Sequence, residues 1–131
     1  MRRQTSSSPT CTGASRGEAC PTDDQRSLAA ELVAAGADVI VGSHAHQLRG
    51  DGRLGPGYVA YGLGNYARYT EGATGVLTLT VRPPSEPSGR ARVIDHAWAP
   101  ARIGTDGLPR ELADAGDFNT DRAALRRCAG F

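Results

Sequence analysis

The sequence predicts an α/β fold, on three observations. A capping box opens a helix that ends at a glycine directly before a β-branched run, a later segment alternates with period two, and Gly/Pro turns punctuate the intervals. The expected element order is α-β-β-β-β-α, without an internal repeat. At 131 residues the chain bounds at one ordinary domain.

Residues 1–17 read as a Ser/Thr-rich disordered tail. Gln4 to Thr10 are polar where a secretory signal needs an apolar run of about 7–15 residues, so no signal peptide is expected as written. In Thr22-Asp23-Asp24-Gln25 the Thr hydroxyl can accept from the Gln25 amide while the Gln side chain reaches back, and both carboxylates favour the positive helix end. Leu28, Leu32 and Ala35, flanked by Ala29 and Val33, recur at helical spacing and are the expected apolar face. Gly36 supplies a left-handed cap. Asp38-Val39-Ile40-Val41-Gly42 follows without alternation, which suits a strand covered on both faces.

Asp51-Gly52 and Gly55-Pro56-Gly57 are turn chemistry, so residues 58–61 form a strand ending at Gly62-Leu63-Gly64-Asn65. Residues 75–82 form a half-buried strand, with Val76 facing opposite to Leu77 and Leu79. Residues 83–89 are an exposed turn and residues 92–100 the hairpin partner. Residues 104–116 read mostly as loop and residues 121–127 as a short terminal helix.

Composition excludes several functions. Net charge is +1, all fifteen basic residues are Arg and spread along the chain, and there are only seven aromatic residues, so a nucleic-acid surface is not expected. No apolar stretch approaches the roughly 20 residues of a transmembrane segment. The absence of Lys with abundant Ala and Gly points to GC-rich codons.

Chemistry concentrates in Gly42-Ser43-His44-Ala45-His46, directly after a strand, where open α/β sheets place their ligands. In an extended segment residues two apart point the same way, so His44 and His46 can present imidazoles to one metal or to neighbouring metals. Ordinary loop histidines are the alternative, and no third ligand falls nearby by spacing: Asp38 sits at the far end of the strand and Asp51 beyond the loop. Gly64-Asn65 is by itself common turn chemistry. Tyr61 and Tyr66 read as packing residues, His96 as a solvated or packing histidine and Trp98 as a core anchor.

These residues carry a resemblance. Glu18-Ala19-Cys20-Pro21, Gln25 with Leu28-Ala29, Gly36 through His46, Tyr61-Gly62-Leu63-Gly64-Asn65-Tyr66 and Thr74 through Thr80 together resemble the C-terminal part of the CapA family, the poly-gamma-glutamate capsule biosynthesis proteins, over most of residues 18–131. That family is similar to calcineurin-like metallophosphatases, so the resemblance implies the C-terminal portion of a double-sheet α/β sandwich with divalent metal ions at strand ends. His44 and His46 then correspond to a G-H-x-H type motif of late metal ligands, with Ser43 in place of a frequent His. Asn65 falls on an L-G-N-F motif, with Tyr66 in place of Phe, as a substrate or site-loop residue.

The resemblance further implies an anionic polymer or phosphoester as partner and an extracellular or cell-envelope location for the full-length parent. The Asp, Asn and His motifs of the family's N-terminal half are missing, so this chain is expected to be truncated and inactive as a metallophosphoesterase-like hydrolase. A non-catalytic polymer-binding or assembly module is the alternative, and an unrelated small H-x-H hydrolase a third reading.

Where the family carries His-Trp-Gly, this chain has Ser6 to Gly13. Read two bases in, the codons for these residues and Ala14 permit Val-Val-Ala-Tyr-Leu-His-Trp-Gly, so the tail is expected to be a frame-shifted reading. An exported parent would permit a disulfide between Cys20 and Cys128, with free buried thiols as the alternative.

Overall fold

The computed structural model describes residues 19–67 and 70–131. The expected tail, residues 1–17 with Cys11, lies outside the described residues, as does Glu18. Among the described residues the chain is mixed α/β, with two helices and two three-stranded sheets, an arrangement compatible with part of an α/β sandwich.

Helix α1, Asp23–Ala34, begins as its sequence dictates: Gln25 N donates to the Thr22 hydroxyl at 3.2 Å and Thr22 N to Gln25 Oε1 at 3.0 Å. It ends with Gly36 at φ +111°, where Gly36 N donates to Val33 O and Ala37 N to Leu32 O. The buried face differs from the expected one. Ala29 and Val33 are buried against Val59, Tyr61 and Ala129, whereas Leu28 is 56% and Leu32 40% exposed. A Cβ on Gly57 would lie 2.9 Å from Val33 Cγ2, so a bare stretch of sheet lets the Val33 line seat closest and turns the leucines outward.

Among the described residues strand β1, Val39–Val41, is an edge strand, and it is not covered on both faces: Val41 is 55% exposed. The covered strand is β3, Gly57–Ala60, which lies between β1 (parallel) and β2, Asp51–Leu54 (antiparallel). A β-branched run sets strand propensity, but burial follows from what packs on the strand, and all four residues of β3 are buried. Of the two expected turns only the second is one: Gly55, at φ +56°, takes the first central position of the β2–β3 hairpin. Asp51-Gly52 is strand. Gly52 is there because the Phe131 ring would lie 2.4 Å from any Cβ.

The second sheet has the order β4-β5-β6. β4, Gly72–Arg82, pairs antiparallel with β5, Arg92–Ile103, with a register shift at Thr80/Val81, and both run longer than the alternation suggested. β6, Pro109–Glu111, forms within the expected loop by pairing with the end of β5. The exposed β4–β5 connection returns to α1 through Arg90, which bonds Asp38 and the carbonyls of Val33 and Ala37. A guanidinium thereby caps a helix end that has no basic residue of its own.

Helix α2, Gly116–Ala129, extends beyond the expected residues 121–127 at both ends. Its C-terminus is held by Arg26, which donates to Cys128 O at 2.6 Å and Ala129 O at 2.7 Å, and by a Cys20–Cys128 disulfide with the Cα atoms 5.5 Å apart. No helix among the described residues is long and apolar enough to cross a membrane.

Candidate functional site

The loop after β1 starts at Gly42, whose Cβ, were there one, would lie 2.5 Å from Tyr61 O; only glycine lets the two chains pass. The loop then pairs with the segment after β3 through the Leu48–Leu63 bridge and Arg49 N to Gly62 O. This brings His44, His46 and Asn65 together. The segment is not extended as expected: His44 has φ +69° and His46 φ +56°. Left-handed backbone at a non-glycine residue costs of order 1–3 kcal/mol and clusters at functional sites. The two rings are nonetheless neighbours, with centroids 5.2 Å apart.

Asn65 holds His46 twice. Its amide nitrogen donates to His46 O at 3.2 Å, which assigns the amide orientation, so the 2.8 Å contact is a bond donated by His46 Nδ1–H to Asn65 Oδ1. The imidazole lone pair then lies on Nε2. Asn65 is itself anchored, since the fully buried Thr74 of β4 donates its hydroxyl to Asn65 O. The turn at Gly64, φ +71°, directly precedes Asn65 and its bonds to His46.

The donor chemistry fits a divalent metal in part. Two imidazoles on one tetrahedral ion, at M–N distances of about 2.0–2.1 Å, hold their ring centres about 5 Å apart, close to the spacing of His44 and His46. No group of three His, Cys, Asp or Glu able to hold an ion occurs among the described residues. Asp38 is committed to Arg90 and Asp51 to Arg122.

Beside His46 and Asn65 opens a cavity of about 260 Å³ whose walls include Arg49, Trp98, Phe118 and Arg122. Trp98 is a half-buried cavity wall as well as a packing residue, with its ring centroid 5.8 Å from that of Phe118 and Arg122 lying over it at 5.9 Å. Behind the wall, Asp51 is 1% exposed and accepts from Trp98 Nε1, from Arg122 Nε and Nη2, and from the Tyr58 hydroxyl. Burial, reinforced by the Asp51 carboxylate, pushes the Tyr58 phenol well above its ordinary range.

His96 packs 5.6 Å from the Tyr58 ring and accepts from Arg126 Nη1 at Nε2, 3.3 Å. Burial, and then the Arg122 charge, lower its pKa from 6.5. The unfolded chain therefore binds the proton more readily, and this part of the stability is present above about pH 6.5 and lost as pH falls below it. We expect the urea midpoint to drop on acidification through that range and the slope to flatten in His96→Gln; an unchanged slope assigns the effect elsewhere.

Cys20 and Cys128 lie apart from the cavity lining. Sequence reasoning missed Arg49 and the Asp51–Arg122 pair. Arg49 follows His46 on the same loop and could have been flagged by position, whereas Asp51 and Arg122 are 71 residues apart and carry no local signal.

Residues 13–70 match the family model described as bacterial capsule synthesis protein PGA_cap. The match spans α1, β1, the histidine loop, the β2–β3 hairpin and Asn65, and supports a capsule-synthesis family for the chain, in line with the CapA resemblance. No curated protein and no solved structure matches the chain.

Proposed function

We propose that the chain carries part of the metal site of a cell-envelope capsule-synthesis protein with a metallophosphatase-like fold, acting on an anionic polymer or phosphoester. His44 and His46 are the metal-holding residues. Asn65 is a positioning residue that fixes the tautomer and orientation of His46. A divalent ion held there would supply Lewis-acid polarisation of a substrate oxygen. The observation that carries the reading is the pair of bonds between Asn65 and His46, the arrangement by which metal-binding imidazoles are oriented.

Zn²⁺ or Mn²⁺ titrated calorimetrically into the chain should bind. His46→Ala should abolish the isotherm, and Asn65→Ala should weaken it by about 10–100-fold. A wild-type chain that takes neither metal, or a His46→Ala isotherm equal to the wild type, refutes the reading. Because two imidazoles fall short of the three protein ligands a catalytic zinc takes, little or no hydrolysis is expected from this chain by itself. The same partial donor set favours the second reading, a polymer-binding module without turnover, and phosphodiesterase activity lost on His46→Ala would decide against it.

A further inference from the structure

The cavity beside His46 is lined by a cation, Arg49, that no carboxylate among the described residues neutralises. Among the described residues the ion pairs join Arg90 to Asp38, Arg110 to Asp106 and Arg122 to Asp51, and Arg49 belongs to none of them. Its Nη1 donates to the neutral amide oxygen of Gln25 at 2.6 Å. Its Nε is buried without a hydrogen-bond partner. An unmade bond at a buried charged donor is costly, and such a group in a native fold calls for an explanation. The residue is not there by looseness, because its backbone is tied to Gly62 and its side chain to the capping box of α1.

A planar guanidinium fork matches the paired oxygens of a carboxylate or a phosphate. Glu71 and Asp121 are exposed cavity-lining residues, and neither is ion-paired to Arg49; their charges disfavour an anionic group beside them. Arg122, the other cavity cation, is already paired with Asp51. The rest of the wall mixes the polar His46, Gln47, Asn65 and Thr70 with an apolar part that includes Trp98 and Phe118, whose rings lie 5.8 Å apart.

We propose that Arg49 is the anion-binding residue of this cavity, taking a carboxylate or phosphate whose carbon stem lies against Trp98 and Phe118. The assignment rests on the proposed function for the nature of the ligand, and it gives that ligand a residue on this chain.

Trp98 is the one tryptophan of the sequence, so its emission reports on the cavity wall. Glutarate and inorganic phosphate are titrated separately into the metal-free chain at constant ionic strength. We expect a saturable change in emission, with affinity reduced at least about tenfold in Arg49→Gln, the scale of a lost charge-assisted bond. Arg49→Lys, which keeps the charge without the fork, should fall between, and thermal unfolding confirms that both variants are folded. Tighter binding of glutarate identifies a carboxylate ligand and tighter binding of phosphate a phosphoester, and either supports the assignment.

A folded Arg49→Gln that binds both anions as the wild type does, or the absence of any saturable change in the wild type, overturns it. The calorimetric metal titration is repeated on Arg49→Gln. Arg49-dependent anion binding in a chain that takes no metal would sink the metal reading and leave this assignment standing.

Discussion

Asp51→Ala should lower the unfolding free energy by about 3–5 kcal/mol, the range for removing one partner of a buried ion pair. Asp51 is 1% exposed and the Arg122 side chain 19%. Truncation leaves a largely desolvated guanidinium without its counter-charge and takes the acceptor from the Tyr58 hydroxyl and the Trp98 indole at once. The loss exceeds what the pair adds over an apolar replacement, because desolvation of Arg122 persists after its compensation has gone. The damage is also topological: one carboxylate on β2 receives donors from β3, β5 and α2, so it joins the two sheets and the terminal helix.

Urea unfolding followed by Trp98 emission measures the effect. Asp51→Asn, which keeps the shape but not the charge, should lie between wild type and Asp51→Ala. In a double-mutant cycle with Arg122→Ala the two losses should be far from additive. A loss below about 1 kcal/mol for Asp51→Ala, as at an ordinary surface position, would mean that the buried carboxylate does not hold the layers together.

What the sequence made legible follows the range of the interactions responsible. The start of α1, its glycine stop, β3 and the β4–β5 hairpin were readable because each rests on neighbours within a few residues. The burial of β1 and the orientation of α1 were not, since Val41 and Leu28 are exposed according to where other strands lie. Asp51-Gly52 reads as a turn because Asp and Gly are turn formers; Arg122, far along the chain, supplies the counter-charge that lets Asp51 be buried in β2 instead.

Similarly, Gly116 to Thr120 are poor helix formers. They are helical because Asp114 accepts from Gly116 N, the Thr120 hydroxyl bonds Gly116 O, and Phe118 is buried near Trp98. In the candidate site, His44, His46 and Asn65 were legible as motif residues. The left-handed backbone of His44 and His46 and the bond from His46 to Asn65 between the two loops depend on Gly42 passing Tyr61, which no local pattern encodes.

Reduction of the Cys20–Cys128 bond should cost about 4–5 kcal/mol in the chain-entropy model, since the bond closes a loop of 108 residues. A loop this long restricts nearly the whole denatured ensemble, which is why the effect is placed near the top of the usual range. Its structural consequence centres on α2. The disulfide and Arg26 are fastened to the last turn of that helix, and Phe131 just beyond it stacks on Tyr61 with ring centroids 6.0 Å apart. The same helix lends Phe118 and Arg122 to the cavity. Loosening its end should therefore weaken the anion response of Trp98 at urea concentrations where the oxidised chain still responds. Cys20→Ser with Cys128→Ser should reproduce the reduced protein. Non-reducing mass spectrometry that finds both thiols free, or a urea midpoint unmoved by reductant, would remove the bond from the forces that hold α2 in place.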